Sequence, residues 1–333
     1  MSKDICHNHD QLKLSKMPDP GSQKSKVKNI NYIDAVKELK TIRDMLRFAI
    51  TQFNAAELYF GHGTDNAWDE AFALIIRALH LPFEDNSLLL DARLTIQERQ
   101  TLLELIKKRV EDRIPVPYLI QEAWFAGLPF YVDERVLIPR SPIAELIEQQ
   151  FTPWIDPAQV GAILDLCTGS GCIAIACAAA FPEAEVDAVD LSKNALAVAE
   201  YNVGKHQLEQ QIKLYDSDLF SALPAKRYDI IVSNPPYVAD AEMQVLPAEY
   251  RHEPEFALTA ADEGLAIACK ILQQAADYLS ENGILIVEVG NSEQALVARF
   301  PEVPFMWLDF ERGGQGVFLL TAEQLRQYQA YFQ

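Results

Sequence analysis

The feature that most constrains the fold of this chain is the alternation of short apolar runs with helical patterns that begins at Ala162. The runs are short, rich in β-branched residues and mostly unbroken, as is typical of buried parallel strands. Their order predicts a parallel, doubly wound α/β sheet. The predicted strands are Ala162–Leu166, Glu185–Asp190, Ile212–Tyr215, Tyr228–Ser233, Gly283–Val289, Phe305–Phe310 and Gly316–Thr321. The Gly-rich segment Glu311–Gln315 joins the last two, which predicts a terminal antiparallel hairpin.

The chain divides into four predicted segments. Residues 1–28 are polar and aperiodic, and we expect them to form a disordered tail. Residues 29–115 carry helical patterns and predict a small helical domain. Residues 116–140 are expected to form a linker and a β-hairpin, and residues 141–333 the α/β domain.

Helix-start signals refine the helical segments. One helical pattern begins at Asn31, a second follows Asp65 as a possible N-cap, and a third follows a capping box at Thr95. Ser141 precedes a proline and predicts the N-cap of the first helix in the α/β domain. These signals predict a three-helix bundle in front of the sheet.

The net charge of −19 is unevenly distributed. Residues 1–30 carry six Lys against three Asp, a charge of +3, so the rest of the chain carries −22. A body this acidic would repel a phosphate backbone and attract a basic protein. We therefore expect no direct binding of nucleic acid.

Cysteine and histidine usage gives no signal for a metal or redox centre. The five cysteines form no CxxC pair, and the six histidines are scattered, so we expect reduced cysteines and no metal. No apolar run approaches the ~20 residues of a membrane span. The N-terminus has no apolar signal-like stretch. A cytoplasmic protein without membrane contact is the expectation.

A glycine loop follows the first predicted strand. Gly169 and Gly171 allow a tight turn and close approach of a ligand, and Asp190 ends the second strand, where a carboxylate can accept both hydroxyls of an adenosine ribose. The same spacing fits the dinucleotide fingerprint of NAD enzymes. Asp165 favours a cationic ligand instead, because a carboxylate just before the loop would repel a pyrophosphate.

Two further stretches follow strand ends. Asp218 could accept a hydrogen bond from an adenine amino group while Leu219 packs on the ring, although Asp216 and Asp218 are also typical turn residues. The fourth strand ends in Ser-Asn-Pro-Pro-Tyr, residues 233–237. Its two prolines lack backbone N–H groups, so the segment leaves the sheet and presents oxygens and an aromatic ring suited to a planar amino group.

Taken together, these motifs resemble a known family. Asp165–Gly171, Asp190, Ser217–Phe220 and Asn234–Tyr237, in this order, resemble class I S-adenosylmethionine-dependent methyltransferases that modify amino groups, which have a Rossmann-like sheet. More narrowly, the chain over roughly residues 30–333 is similar to protein-(glutamine-N5) methyltransferases, which also have a helical N-terminal domain for substrate recognition and a bridging hairpin. Asn-Pro-Pro-Tyr is shared with adenine-N6 DNA methyltransferases.

Two branches of this family modify either release factors or a ribosomal protein, large-subunit protein 3. The motifs at Gly61–Trp68, Pro139–Pro142, Cys167–Cys172 and Arg251–Pro254 look like the ribosomal-protein branch. The release-factor branch usually has Gly where this chain has Cys167. The resemblance therefore implies large-subunit protein 3 as the partner, with release factors as the alternative.

The resemblance also implies site residues. Asn234 and Pro235 would accept the two hydrogens of a glutamine amide through their oxygens, and Tyr237 would pack against the amide plane, so that methyl transfer is driven mostly by positioning. The implied catalytic residues are Asn234, Pro235 and Tyr237, and Pro236 joins them in substrate binding. The implied residues for S-adenosylmethionine are Asp165, Cys167, Thr168, Gly169, Ser170, Gly171, Asp190, Asp218, Leu219 and Asn234.

Other polar residues and other functions stay open at this point. Possible substrate-side residues are Arg140, Glu145, His252 and Glu253, with Glu288 and Asn291 near the end of the fifth strand. The competing functions are an adenine methyltransferase, an NAD-dependent oxidoreductase and a non-catalytic ribosome-assembly factor. The first would normally add a basic recognition region, and the second leaves the Asn-Pro-Pro-Tyr stretch without a role.

Overall fold

The computed structural model of the protein describes residues 32–82 and 88–333. The predicted tail, residues 1–28, lies outside these residues. Among the helices so described, none combines the length and apolarity needed to span a membrane.

Five α-helices form the first part of the structure, and three of them start at a residue whose side chain caps the helix. Thr41 and Thr95 both form capping boxes, with Asp44 and Glu98 at the third helical position. The helices are α1 Tyr32–Glu38, α2 Ile42–Ala55, α3 Ala67–Ala78, α4 Ile96–Lys107 and α5 Val116–Ile120. Their inward faces share one apolar cluster, which includes Phe53, Leu74 and Leu102.

Three details differ from the sequence prediction. The pattern from Asn31 is two helices, because the capping box at Thr41 starts a new one. Asn66 and not Asp65 caps α3, since its side-chain oxygen accepts the Asp69 N–H. The predicted linker contains α5, whose Pro117 lies in the first turn, where its missing N–H leaves no helical hydrogen bond unmade.

A two-stranded hairpin, β1 Ala123–Phe125 and β2 Leu128–Phe130, connects the helices to the sheet as predicted. Helix α6, Ile143–Glu148, follows. Pro142 is its N-cap, one residue later than predicted, but the Ser141 hydroxyl still accepts the Ile143 N–H at 3.2 Å.

The remaining strands form one seven-stranded sheet in the order β5-β4-β3-β6-β7-β9-β8. The strands β3 to β7 are parallel, and β9 runs antiparallel to both β7 and β8. This confirms the doubly wound sheet with an antiparallel end. The bounds are β3 Ala162–Leu166, β4 Glu185–Asp190, β5 Ile212–Asp216, β6 Tyr228–Ser233, β7 Leu279–Glu288, β8 Met306–Trp307 and β9 Val317–Thr321.

Helices cover both faces of this sheet. Each face carries its own apolar cluster, one including Ile163 and Ile230 and the other Leu164 and Ile231. Alternate residues of a strand point to opposite faces, so both faces of the central strands are buried. The helices are α7 Cys172–Ala180, α8 Lys193–Lys205, α9 Asp240–Met243, α10 Ala266–Gln274, α11 Glu293–Arg299 and α12 Ala322–Gln327.

A buried ionic network joins the helical part to the α/β part. Arg109, after α4, is fully buried and donates to the carboxylates of Glu70 and Glu249 and to the Tyr59 carbonyl. Glu249 lies in the segment that follows the Asn-Pro-Pro-Tyr stretch, and it also accepts the Tyr59 N–H at 3.1 Å. Burial opposes ionisation of Glu249, but the backbone hydrogen bonds and Arg109 hold its pKa below the usual value. The helical part is thus fixed to a segment beside the candidate site.

Candidate active site

The candidate site lies at the carboxyl ends of β3, β4 and β6. The strand order reverses at β3, which is the place where doubly wound sheets open a crevice for ligands. A cavity of about 190 Å³ occupies this crevice. Seven residues predicted from the sequence line it: Cys167, Gly169, Asp190, Asp218, Leu219, Asn234 and Pro236.

The loop after β3 is held by its own hydrogen bonds. The Gly169 N–H donates to Asp190 Oδ2 at 2.9 Å, and the Thr168 N–H donates to the Val189 carbonyl at 2.9 Å. Gly171, with φ +81°, is the N-cap of α7, and a Cβ there would lie 3.3 Å from the Ala199 Cβ. The glycine therefore allows both the left-handed turn and the close approach of α8.

Cys167 begins this loop in the left-handed region, with φ +62°. A glycine adopts this conformation without a steric penalty, so the cysteine is accommodated here at a cost in backbone strain. Burial raises the pKa of the Cys167 thiol, so it stays protonated. Cys172, Cys177 and Cys269 are likewise free thiols, as expected.

Asp165 is fully buried on β3 behind the loop. Its Oδ2 accepts the Thr168 hydroxyl at 2.5 Å and the Ala174 N–H at 3.1 Å, whereas its Oδ1 has no hydrogen-bond partner among the described residues. Burial raises the pKa of Asp165 to about 7. A buried acceptor without a partner suits a cationic ligand and disfavours a pyrophosphate. The residues present therefore fit S-adenosylmethionine and not NAD.

Asp190 and the loop after β5 form the next part of the wall. Asp190 accepts the Gly169 N–H through one oxygen and the Ser192 N–H, at 2.8 Å, through the other. Burial raises the pKa of Asp190, although these hydrogen bonds oppose the rise. Each oxygen keeps a further acceptor position for a ribose hydroxyl. Leu219, in the left-handed region with φ +51°, lies beside Asp218 on the cavity wall.

The Asn-Pro-Pro-Tyr stretch leaves the sheet directly beside this loop. The Ser233 hydroxyl donates to the Leu166 carbonyl at 2.8 Å, which fixes the end of β6 to the end of β3. Asn234 lines the cavity, and within residues 32–82 and 88–333 its side chain has no hydrogen-bond partner. The Tyr237 hydroxyl donates to the buried Glu288 carboxylate at 2.9 Å. The unpartnered amide of Asn234 is thus available to a ligand.

Four of the open polar candidates have structural partners instead. Arg140 pairs with the buried carboxylate of Glu253 through two hydrogen bonds, at 2.6 and 2.7 Å. Glu145 accepts the N–H groups of the turn before β9, and the His252 ring contacts the Asp112 carbonyl. Burial opposes ionisation of Glu253, but Arg140 and His62 hold its pKa at about 2. These contacts explain the four residues without a substrate.

The sequence did not predict one contact and two segments of the site. Ser141, predicted only as an N-cap, donates its hydroxyl to Glu288 at 2.5 Å. The segments before α6 and after the Asn-Pro-Pro-Tyr stretch also close the cavity, through Val136, Leu137, Phe256, Ala257 and Thr259. Within the described parts of the chain, no three His, Cys, Asp or Glu side chains are placed to hold a metal ion.

Comparison with known proteins relates this site to methyltransferases. Residues 148–249 match the methyltransferase small domain family. The chain is 47% identical over 300 residues to the ribosomal protein uL3 glutamine methyltransferase of Francisella tularensis subsp. tularensis, which covers 90% of this chain and 96% of the relative. It is 49% identical over 290 residues to the enzyme of the same name from Bordetella pertussis, with 87% and 97% covered.

The solved structures that the chain matches are more distant in sequence. The ribosomal protein L11 methylase of Lactobacillus delbrueckii subsp. bulgaricus is 21% identical, with a TM-score of 0.37, and the match covers 54% of this chain and 75% of that one. The curated relatives, by contrast, match over nearly their whole length. The chain therefore belongs to the ribosomal protein uL3 glutamine methyltransferase family.

Proposed function

We propose that this protein methylates the side-chain amide nitrogen, N5, of a glutamine in ribosomal protein uL3. The relatives described above carry this activity in their names. The observation that carries the proposal in the structure is the unpartnered Asn234 amide on the wall of a cavity that fits S-adenosylmethionine. When bound, S-adenosylmethionine supplies an electrophilic methyl group on a sulfonium.

The residues of the chain then have separate tasks. Asp190 and the glycine loop hold the methyl donor, with Asp165 buried behind the loop, while Asp218 and Leu219 hold its adenine. The oxygens of Asn234 and Pro235 accept the two hydrogens of the glutamine amide, which orients its nitrogen. Tyr237 packs against the amide plane. Since the amide nitrogen is a weak nucleophile, orientation of this kind is the main contribution that the site can make.

The charge of the chain supports a basic protein as the substrate. Net charge is −19, and the excess of 48 acidic over 29 basic residues favours encounter with a positively charged protein. The same charge disfavours a nucleic acid, and it is the reason why we rank an adenine methyltransferase below a protein methyltransferase. We place the encounter in the cytoplasm, without a role for a membrane.

Purified protein with S-adenosylmethionine should add a methyl group to a glutamine of uL3. The experiment offers uL3 and a release factor in separate reactions, and peptide mass spectrometry locates the methyl group. We expect modified uL3 and unmodified release factor. Methylation of the release factor alone would refute the uL3 assignment while leaving the glutamine chemistry intact, and methylation of neither would refute the proposed function.

We further propose that the helical domain, residues 29–115, recognises the body of the substrate. A cleft of about 810 Å³ lies between this domain and the hairpin, with an apolar floor that includes Val116, Ile120 and Ala123. Asp65 and Asp69 stand exposed on its rim. Both accept hydrogen bonds from the Asn66 amide, and among the described residues neither forms an ion pair.

The cleft lies next to the candidate active site. His62 lines it and contacts Glu253 at 3.3 Å, and Glu253 in turn holds Arg140. Pro139 also lines the cleft, only two residues before Ser141, which contacts the site through Glu288. A basic segment seated between the carboxylates would therefore lie close to the glutamine-binding loop.

Neutralising the rim should weaken capture of the substrate. For Asp65→Asn with Asp69→Asn we expect KM for uL3 to rise about threefold to tenfold at low salt, with kcat little changed, because rim charges act mainly on encounter. The matched control is Glu38→Gln with Glu104→Gln, which removes the same charge from exposed positions that do not line the cleft. Steady-state kinetics at two salt concentrations measure the difference. Equal KM values for the two double variants would contradict the docking role.

A further inference from the structure

The hydroxyl end of Tyr237 is tied to two other segments through one carboxylate. Glu288 is the last residue of β7 and is buried. Its Oε1 accepts the Tyr237 hydroxyl at 2.9 Å, and its Oε2 accepts the Ser141 hydroxyl at 2.5 Å. Both oxygens are therefore engaged, and the carboxylate links the aromatic ring to the segment before α6.

The rest of Tyr237 is equally constrained. Its N–H donates to the Leu258 carbonyl at 3.1 Å, and its carbonyl lies 3.1 Å from the Ser292 hydroxyl. The ring lies directly on Gly290, where a Cβ would come within 2.5 Å of the Tyr237 Cε2. Among the described residues, Glu288 is the hydrogen-bond partner of the hydroxyl at the far end of this ring.

Burial of the Glu288 carboxylate lowers the stability of the fold. Burial raises the pKa of the Glu288 carboxyl, although the hydrogen bonds from Ser141 and Tyr237 oppose this rise. Within residues 32–82 and 88–333, no ion pair compensates its charge. Arg140, which pairs with Glu253, acts on Glu288 from beyond ion-pair distance, and its charge also opposes the rise of the Glu288 pKa. A buried carboxylate without a direct ion pair weakens a fold compared with an apolar side chain. A role in orienting Tyr237 accounts for a group that stability alone does not favour.

We propose that Glu288 is a positioning residue for methyl transfer, which holds the Tyr237 ring in the plane against which the glutamine amide packs. This inference rests on the proposed function, in which the acceptor amide lies against Tyr237. Transfer to a sulfonium methyl needs the attacking nitrogen in line with the bond that breaks, so a tilted ring misdirects the amide. Glu288 acts through Tyr237 and does not itself touch the reacting atoms.

Three variants test this chain of contacts. Glu288→Ala removes the acceptor, and we expect kcat on uL3 to fall about tenfold or more with the affinity for S-adenosylmethionine unchanged, since only orientation is lost. Glu288→Gln keeps a carbonyl oxygen for the Tyr237 hydroxyl and should stay within about threefold of the wild type. Tyr237→Phe removes the donor and should lower kcat on uL3 as much as Glu288→Ala does.

A matched pair elsewhere in the sheet provides the control. Tyr228, at the opposite end of β6 from Ser233, donates its hydroxyl to the buried Asp187 at 2.8 Å. Tyr228→Phe removes the same kind of hydrogen bond far from the cavity. It should leave kcat at the wild-type value even where it lowers stability, so that a general loss of stability is separated from a loss of orientation.

Non-additivity is the decisive kinetic result. If Glu288 acts through Tyr237, the combined variant Tyr237→Phe with Glu288→Ala loses no more activity than the worse single variant. If the kcat losses of the two single variants multiplied in the combined variant, the proposal would be overturned. A wild-type kcat for Glu288→Ala would overturn it as well. If the wild-type protein were inactive on uL3, the proposed function would be refuted instead. The same assay shows this before any variant is compared.

A spectroscopic measurement tests whether Glu288 positions the Tyr237 ring, and it does not depend on an activity assay. In spectra of protein with ¹³C-labelled tyrosine, the Tyr237 ring signals, assigned by their loss in Tyr237→Phe, should shift or broaden in Glu288→Ala and remain in place in Glu288→Gln. Unchanged ring signals in Glu288→Ala would show that the carboxylate does not orient the ring, and would overturn the proposal.

Discussion

Asn234→Ala should still bind S-adenosylmethionine and yet lose about 100-fold or more in single-turnover methyl transfer. The side chain lines the cavity but has no hydrogen-bond partner within the described residues, so its removal leaves no internal contact unmade. Its neighbour Ser233 keeps the loop in place through the Leu166 carbonyl. What the variant loses is the oxygen that would orient the acceptor amide.

Asn234→Asp is the matched control for this prediction. A carboxylate of nearly the same shape keeps an acceptor oxygen at the same position, so it should recover part of the activity that Asn234→Ala loses. Titration calorimetry measures the affinity for the methyl donor, and rapid quench measures the transfer step. A near wild-type rate for Asn234→Ala would show that the amide is oriented by other groups.

The order of the strands along the chain in the α/β part could be predicted from the sequence, although β7 begins at Leu279 and not at the predicted Gly283. Tyr228–Ser233 and Ala162–Leu166 have the predicted bounds, because a mainly apolar run buried on both faces is decided by local sequence. The edge strand was less predictable. Phe305–Phe310 was predicted as a strand, but only Met306–Trp307 pairs, since an edge strand has one neighbour and its length depends on that neighbour.

The helical part shows the limit of periodicity as a signal. Apolar spacing indicated one helix from Asn31, but the spacing does not register a break of a few residues between two helices on the same face. The capping box of Thr41 determines the break between α1 and α2. Asn66, and not Asp65, is the N-cap of α3 because its side-chain oxygen accepts the Asp69 N–H at 2.9 Å. Caps therefore set helix boundaries that the hydrophobic pattern leaves open.

Part of the candidate site could be predicted from the sequence, and part could not. Gly169, Asp190 and Asn234 follow strand ends, and parallel strands bring such positions to one edge of the sheet, so the sequence could predict their proximity. The contact between Ser141 and Glu288 joins residues 147 positions apart and leaves no local pattern. The fold alone brings these two residues together.

The largest effect on stability is expected at Arg109. Arg109→Met should lower the free energy of unfolding by about 3–5 kcal/mol, the range for a buried ion pair that loses one partner. The guanidinium is fully buried. Without it the carboxylate of Glu70 loses its cation, and among the described residues Glu249 keeps only the partly exposed Arg113 as an ion-pair partner. Urea unfolding followed by circular dichroism measures the loss.

Three comparisons distinguish uncompensated charge from lost packing in this variant. The loss should shrink as the pH falls, because a buried carboxylate without a cation has a raised pKa and takes up a proton in the folded state. Arg109→Met with Glu70→Gln should be more stable than Arg109→Met alone, since the buried charge that Arg113 does not reach is gone. Arg113→Met, which removes a partly exposed guanidinium 3.3 Å from the same carboxylate, should cost about 1 kcal/mol or less. If the Arg109→Met loss were independent of pH and equal in the double variant, the network would owe its stability to packing and not to charge.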